Sequence, residues 1–208
     1  MLNFENLNKA IFAADGKYEI PIIMPEKDIP SKLQWIPFNY AKTAAEFAGV
    51  HFFIDDYQFI RLWNQPTQYI QILKRFPCVC SPDFSTYSDM PMAMQIYNHY
   101  RKHWLAAYWQ SQGIKVYPTI SWSTEKSFEW CFDGEPQKGI VAISSVGTQN
   151  NEKTKLAFLR GYEKMIKILD PTQIIFYGNV PEECDWNVIK VPAHYKKIEK
   201  ARREKHGR

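Results

Sequence analysis

From residue 50 onward the chain alternates short apolar runs with segments of helical period, and few folds accept that alternation. VHFFID (50–55), CVC (78–80), KVYPTISW (115–122), GIVAISSVG (139–147), QIIFYG (173–178) and NVIKVPA (187–193) read as strands. MAMQIYNHYRKHWLAAYWQSQG (92–113) predicts a long helix, with Pro91 suited to its first turn and Gly113 to its end. Its apolar residues Ala93, Ile96, Tyr97, Tyr100, Trp104, Ala107 and Tyr108 fall on one stripe. NEKTKLAFLRGYEKMIKIL (151–169) predicts another, stopped by Asp170 and Pro171. YQFIRLWNQPTQYIQILKRF (57–76) has the same period, but Pro66 must split it. Strands alternating with helices build parallel βα units, and near-continuous apolar strands mean a sheet covered on both faces. The expected class is therefore α/β with parallel βα units, either TIM-barrel-like or an open sheet. Residues 1–45 form an irregular N-terminal extension packed on the body. Residues 46–193 form the α/β domain, and 194–208 a basic tail.

The 208 residues fit one domain. The opening MLNFENLNKAIFAADGKYEI is polar and holds acids, unlike a signal peptide. No apolar run approaches a bilayer-spanning length, so no membrane partner is expected. Cys78 and Cys80 are not in CxxC spacing, and Cys131 and Cys184 form no second pair, which argues against a zinc knuckle. Buried thiols in a reduced cytoplasmic protein are the simplest reading. The net charge of +4 is unevenly placed. The last fifteen residues, HYKKIEKARREKHGR, carry seven basic and two acidic side chains, so the rest of the chain is close to neutral. Lys196, Lys197, Lys200, Arg202 and Arg203 make that tail a candidate contact for nucleic acid, or else a solvated end.

Right-handed crossovers put the C-terminal ends of parallel strands on one rim, where ligands bind in α/β sheets and barrels. The exits there are polar. The first strand runs into Asp55 and Asp56, and the second into SPDFSTYSD with Asp83, Phe84, Ser85 and Tyr87. The third ends at Ser121 and Trp122, the fourth at Ser144, Ser145 and Thr148, and the fifth at Tyr177 and Asn179. Aromatic faces among them (Phe84, Tyr87, Trp122, Tyr177) suit stacking on a base. SSVGT, ahead of a helix N-terminus, suits an anion, although it matches neither the P-loop nor the dinucleotide fingerprint. Asp55 and Asp83 on neighbouring exits are a pair that can hold Mg²⁺ or share acid–base work. Turn formation and helix capping are the competing account of such residues taken one at a time.

No nucleophile–base pair is legible, so no reaction is assigned, and no residue set is assigned to a metal. His99 and His103, in HYRKH, have the i, i+4 spacing that metals use but lack the Glu of H-E-x-x-H. A surface or flank position is expected for them. The long connection SWSTEKSFEWCFDGEP reads as a lid or a small covering hairpin.

The ordered set PDFSTYSDMP, Gln95, Asn98, Tyr100-Arg101, Tyr108-x-Gln110-x-x-Gly113, Val116-x-Pro118 and Ser121-Trp122 has a counterpart elsewhere. So do FDGEP, VAISSVGT and IIFYGNV. Over roughly residues 45–180 they resemble the bacterial, phage and plasmid family known as domain of unknown function 4417. The resemblance supplies no catalytic residue. It implies a setting on mobile elements and phages, and so a part in replication, transfer or conflict with host defences. Together with the rim it leads us to expect a site for a polar, nucleotide-like or phosphorylated ligand. The alternatives are nucleic-acid binding in plasmid or phage replication or transfer, and binding of a host factor.

Overall fold

The computed structural model describes residues 9–44 and 47–193. A two-residue hairpin opens it, β1 (Ala14–Asp15) against β2 (Ile20–Pro21). β3 (Gln34–Pro37), β4 (Ala48–His51), β5 (Cys78–Cys80) and β6 (Val116–Tyr117) then pair in parallel and in sequence order. β7 (Ile140–Ser144), β8 (Gln173–Tyr177) and β9 (Val188–Val191) do the same. Just past β6, Pro118 O accepts from Ala142 N at 2.7 Å, and Ile120 N donates to Ala142 O at 2.8 Å. With the Thr119–Ala142 bridge these bonds join the two ladders into one succession from β3 to β9. Pro118 interrupts β6, but its carbonyl keeps the sheet continuous.

This sheet is wound in one direction and it curls. Val79, Val116, Val141, Ile143, Ile174 and Phe176 face helices. Their strand neighbours Cys78, Cys80, Tyr117, Ile140, Ala142, Ile175 and Tyr177 meet Trp35 and Val191 on the other side. His51 of β4 and Tyr177 of β8 have ring centroids 4.7 Å apart. Four strand spacings would put them about 19 Å apart in a flat sheet, so the strands bend toward one another. Among the described residues no ladder joins β3 to β9. The expected choice between barrel and open sheet resolves as an open, barrel-like curl with a side-chain-filled interior.

The crossovers are unequal. α1 (Arg61–Asn64) and α2 (Ile70–Leu73), separated by a 3-10 turn at Pro66–Tyr69, link β4 to β5, which is the split that Pro66 requires. α3 (Met92–Ser111) links β5 to β6, and α4 (Glu152–Leu169) links β7 to β8. Between β6 and β7 the expected hairpin or lid is a 3-10 turn, Glu125–Glu129, anchored by buried Trp130, Cys131 and Phe132.

α3 departs from its expected stripe. Ala93 is exposed, whereas Gln95, Asn98, His99, Lys102 and His103 are buried. The segments packed around the helix explain this: the strand exits take Gln95, Asn98 and Lys102, the FDGEP turn takes His99 and Lys102, and the N-terminal segment takes His103 and straps the helix further along. Trp104 Nε1 donates to Ala10 O at 2.8 Å. The Gln110 amide exchanges two 2.9 Å hydrogen bonds with the Met24 backbone. A helix covered on both sides buries polar residues wherever partners are provided.

Candidate functional site

All six strand exits from β4 to β9 lie on the same rim, since the strands are parallel. Hydrogen bonds stitch neighbouring exits together. Asp56 accepts from Ser85 N at 3.1 Å and from Ser85 Oγ at 2.9 Å, tying the β4 and β5 loops. Ser81 Oγ accepts from Thr119 N and Thr119 Oγ1 donates to Ser81 O, both at 2.7 Å, tying β5 to β6. Ser145 Oγ donates to Asn179 O, tying β7 to β8. α3 secures the loops from outside. Asn98 Nδ2 donates to Ser85 O, Gln95 Nε2 to Met90 O, and Ser123 Oγ to Gln95 Oε1.

The sequence-derived residues divide into three groups on this scaffold. Asp83, Ser85 and Tyr87 lie together on the β5 exit, where Tyr87 is 65 % exposed. Asp55 is exposed on the neighbouring β4 exit, and Asn179 on the β8 exit three strands away. The carboxylate that reaches the β5 loop is Asp56 and not Asp55. Ser144, Ser145 and Thr148 build their own turn: Ser144 Oγ accepts from Val146 N, and Thr148 Oγ1 donates to Ser145 O at 2.8 Å. α4 is capped by Asn151 and Thr154 from its own chain, so its first turn is already partly satisfied. Three aromatic residues are packed inward. Phe84 lies edge-on to Phe59 in the core, Tyr177 stacks on Phe53 in the sheet interior, and Trp122 lies against Phe158 over α4. The tail residues Lys196, Lys197, Lys200, Arg202 and Arg203 lie outside the described residues.

Asp83 stands out chemically. It is half-buried and accepts no hydrogen bond among the described residues. Burial pushes its carboxyl up to about 7, with Asp56 adding to the rise and Lys102 opposing it. A carboxyl that titrates near neutrality beside a strand exit is a group suited to proton exchange. The thiols are unsuited to such work. Burial pushes Cys78, Cys131 and Cys184 up to about 12 and Cys80 well above its ordinary value, so none is a ready thiolate.

Below the rim lies a cluster that the sequence pattern does not expose. His99 and His103 are 2 % and 0 % exposed, which corrects the expected flank position. Lys102 Nζ donates to Thr119 O at 2.7 Å and to Glu135 Oε1 at 2.8 Å. His103 Nε2 lies 2.9 Å from the same carboxylate oxygen, and its Nδ1 lies 2.8 Å from Pro21 O. Burial pushes Glu135 up, but Lys102 and His103 outweigh it and hold the carboxyl below its ordinary value. Burial, then His103 and Lys102, hold His99 well below its ordinary value, so this ring is neutral. FDGEP gains its meaning here. Gly134 sits at φ +71°, and a Cβ on it would meet Pro21 O at 2.7 Å and His103 Nδ1 at 2.9 Å. Only a residue without a side chain lets the loop bring Glu135 to the helix. The pattern signalled the i, i+4 pair and the DGE turn separately. Nothing in it showed that the N-terminal strap would bury both.

The described chain is thus a singly wound, parallel α/β protein with a stitched polar rim and a buried ionic cluster beneath it. It belongs to the family described as Domain of unknown function (DUF4417), whose pattern matches residues 12–196. It is similar to the Gene 1 protein of Mycobacterium phage D29, with 36 % identity over 191 residues, 90 % of this chain and 71 % of that protein. It is likewise similar to the Gene 1 protein of Mycobacterium phage L5, with 37 % identity over 185 residues, 88 % of this chain and 80 % of that protein. No solved structure matches. Among the described residues no helix is long and apolar enough to cross a membrane.

Proposed function

We propose that this phage-type protein binds a polar, nucleotide-like ligand on the C-terminal rim of its sheet, and that Asp83 is the group that meets it. The observation that carries the reading is Asp83 itself: a half-buried carboxyl at a strand exit, with no hydrogen-bond partner among the described residues and a midpoint of about 7. Such a carboxyl both donates and accepts near neutral pH, which matches the paired donor and acceptor on a nucleobase edge. Tyr87, exposed on the same loop, offers a face for stacking. Asp56 fixes the loop through Ser85 and keeps the two residues together. The β7 turn is the weaker half of the site, because the hydroxyls of Ser145 and Thr148 are committed within the protein. The nucleic-acid reading rests on a tail outside the described residues, and no observation favours the host-factor reading.

The test is a thermal-shift and calorimetric screen with nucleoside mono-, di- and triphosphates and cyclic nucleotides. Asp83→Asn and Tyr87→Ala should each weaken a hit at least about tenfold, the loss of roughly one good contact, with circular dichroism unchanged. Equal affinity in Asp83→Asn, or no hit for the wild type, defeats the reading. Trp122 and Tyr177 are unsuitable probes, because both are packed against other aromatic side chains.

A further inference from the structure

The cluster beneath the rim holds two buried polar atoms without a hydrogen-bond partner, one on His99 and one on Glu135. His99 Nε2 lies 3.1 Å from Asp133 O, a contact that needs the ring proton on Nε2. Its Nδ1 is buried without a hydrogen-bond partner. Glu135 Oε2 is likewise buried without a partner. His103 has its Nδ1 2.8 Å from Pro21 O and its Nε2 2.9 Å from Glu135 Oε1.

One ligand atom from each of His99, His103 and Glu135 lies within 4.8 Å of the others. Both imidazoles direct their other nitrogen at a backbone carbonyl, the outer contact that fixes the tautomer of a metal-binding histidine. Their i, i+4 spacing on α3 puts both rings on one face, and Gly134 lets the FDGEP turn deliver the carboxylate. Lys102 bonds Glu135 Oε1 and Thr119 O, which leaves Oε2 facing no protein donor. Two further carboxylates flank the cluster. Asp15 accepts from Gly134 N at 3.1 Å. Asp133 precedes Gly134 in the same turn. They offset the charge that a dication would add beside the Lys102 ammonium.

We propose that His99, His103 and Glu135 hold a divalent first-row transition-metal ion. Two imidazoles and one carboxylate suit zinc, iron(II) or manganese(II) rather than calcium or magnesium, which take oxygen ligands. The ligands come from α3 and the FDGEP turn, so the ion pins these two together, and the His103 contact with Pro21 O ties in the strap. This site is separate from the rim, and the claim does not depend on the ligand proposed there.

The experiment is metal analysis of the full chain, purified without chelator and again after anaerobic reconstitution with Zn²⁺, Fe²⁺ or Mn²⁺. The structure predicts about one tightly held ion per chain and a melting temperature lowered by chelator. Asp83→Asn should keep the ion. His99→Gln should lose it or hold it at least about tenfold more weakly, the scale of a removed metal contact. Substitution with Co²⁺ in the wild type gives a second readout, a visible absorption band, that stands even if His99→Gln fails to fold. Metal below a tenth of an equivalent, with no thermal shift and no cobalt band, would overturn the proposal.

Discussion

Asp83 is the residue on which pH acts most directly. Its carboxyl titrates at about 7 in the folded chain, against an ordinary value near 3.8. Between those limits the folded chain binds more protons than the unfolded one, so stability falls as pH rises from about 4 to about 7 and then levels off. Asp83→Asn removes that loss. It should be more stable than the wild type by on the order of 1–3 kcal/mol at pH 8, and equal to it at pH 4. Urea titrations at the two pH values check this, and a destabilised variant at pH 8 would mean that Asp83 is ion-paired. Lys102 and Glu135 make the opposite case, a buried pair in which each needs the other. Lys102→Met leaves a buried carboxylate without its ammonium and should cost about 3–5 kcal/mol in chemical denaturation. The double replacement Lys102→Met with Glu135→Gln should cost less than the single one, because no uncompensated charge remains.

Among the elements, α3 and α4 show what a sequence can and cannot disclose. α4 was legible because it is amphipathic and stopped by Asp170-Pro171, whereas its cap, Asn151, is read from the structure. Replacing Asn151 with Ala removes the bond from Thr154 N and should cost about 1 kcal/mol in a thermal or urea melt. Within α4, Gly161 breaks the usual rule for helices. An alanine there should stabilise by about 1 kcal/mol from propensity alone. Its Cβ, however, would lie 2.1 Å from Trp122 Nε1. Gly161→Ala is therefore expected to destabilise by about 1–3 kcal/mol, and to become neutral or stabilising in a Trp122→Leu background. A thermodynamic cycle over the two positions measures this. α3 was legible in extent but not in burial. Its stripe of Tyr and Trp suggested one covered face, and only the β6 exit, the FDGEP turn and the N-terminal strap, which take Lys102 and His103 between them, show why those two are inside. Periodicity reports the pattern of a helix against one layer. It does not register a second layer made of irregular chain.

At the scale of the whole molecule, alternation gave the parallel class and the rim, since every strand from β4 to β9 lies close to an apolar run read in the sequence. β3 did not stand out, because QWIP is short and sits in a proline-bearing stretch. The curl of the sheet was not legible either, because it depends on contacts such as His51 with Tyr177 between strands four places apart. The strand exits share one rim, as the alternation predicted, whereas some of the aromatic residues read there pack inward. Phe84 and Tyr177 are adjacent to the exits in sequence, yet each turns into a core. What remains at the surface of the β5 exit is compact: Asp83 and Tyr87, held by Asp56 through Ser85. The account's central claim is that a polar ligand binds there. Native mass spectrometry of the chain purified from its own host, beside Asp83→Asn prepared in the same way, tests it most directly. The account predicts an organic molecule retained by the wild type, released on denaturation and absent from Asp83→Asn. A wild-type mass without such a molecule, or the same molecule on both proteins, would contradict it.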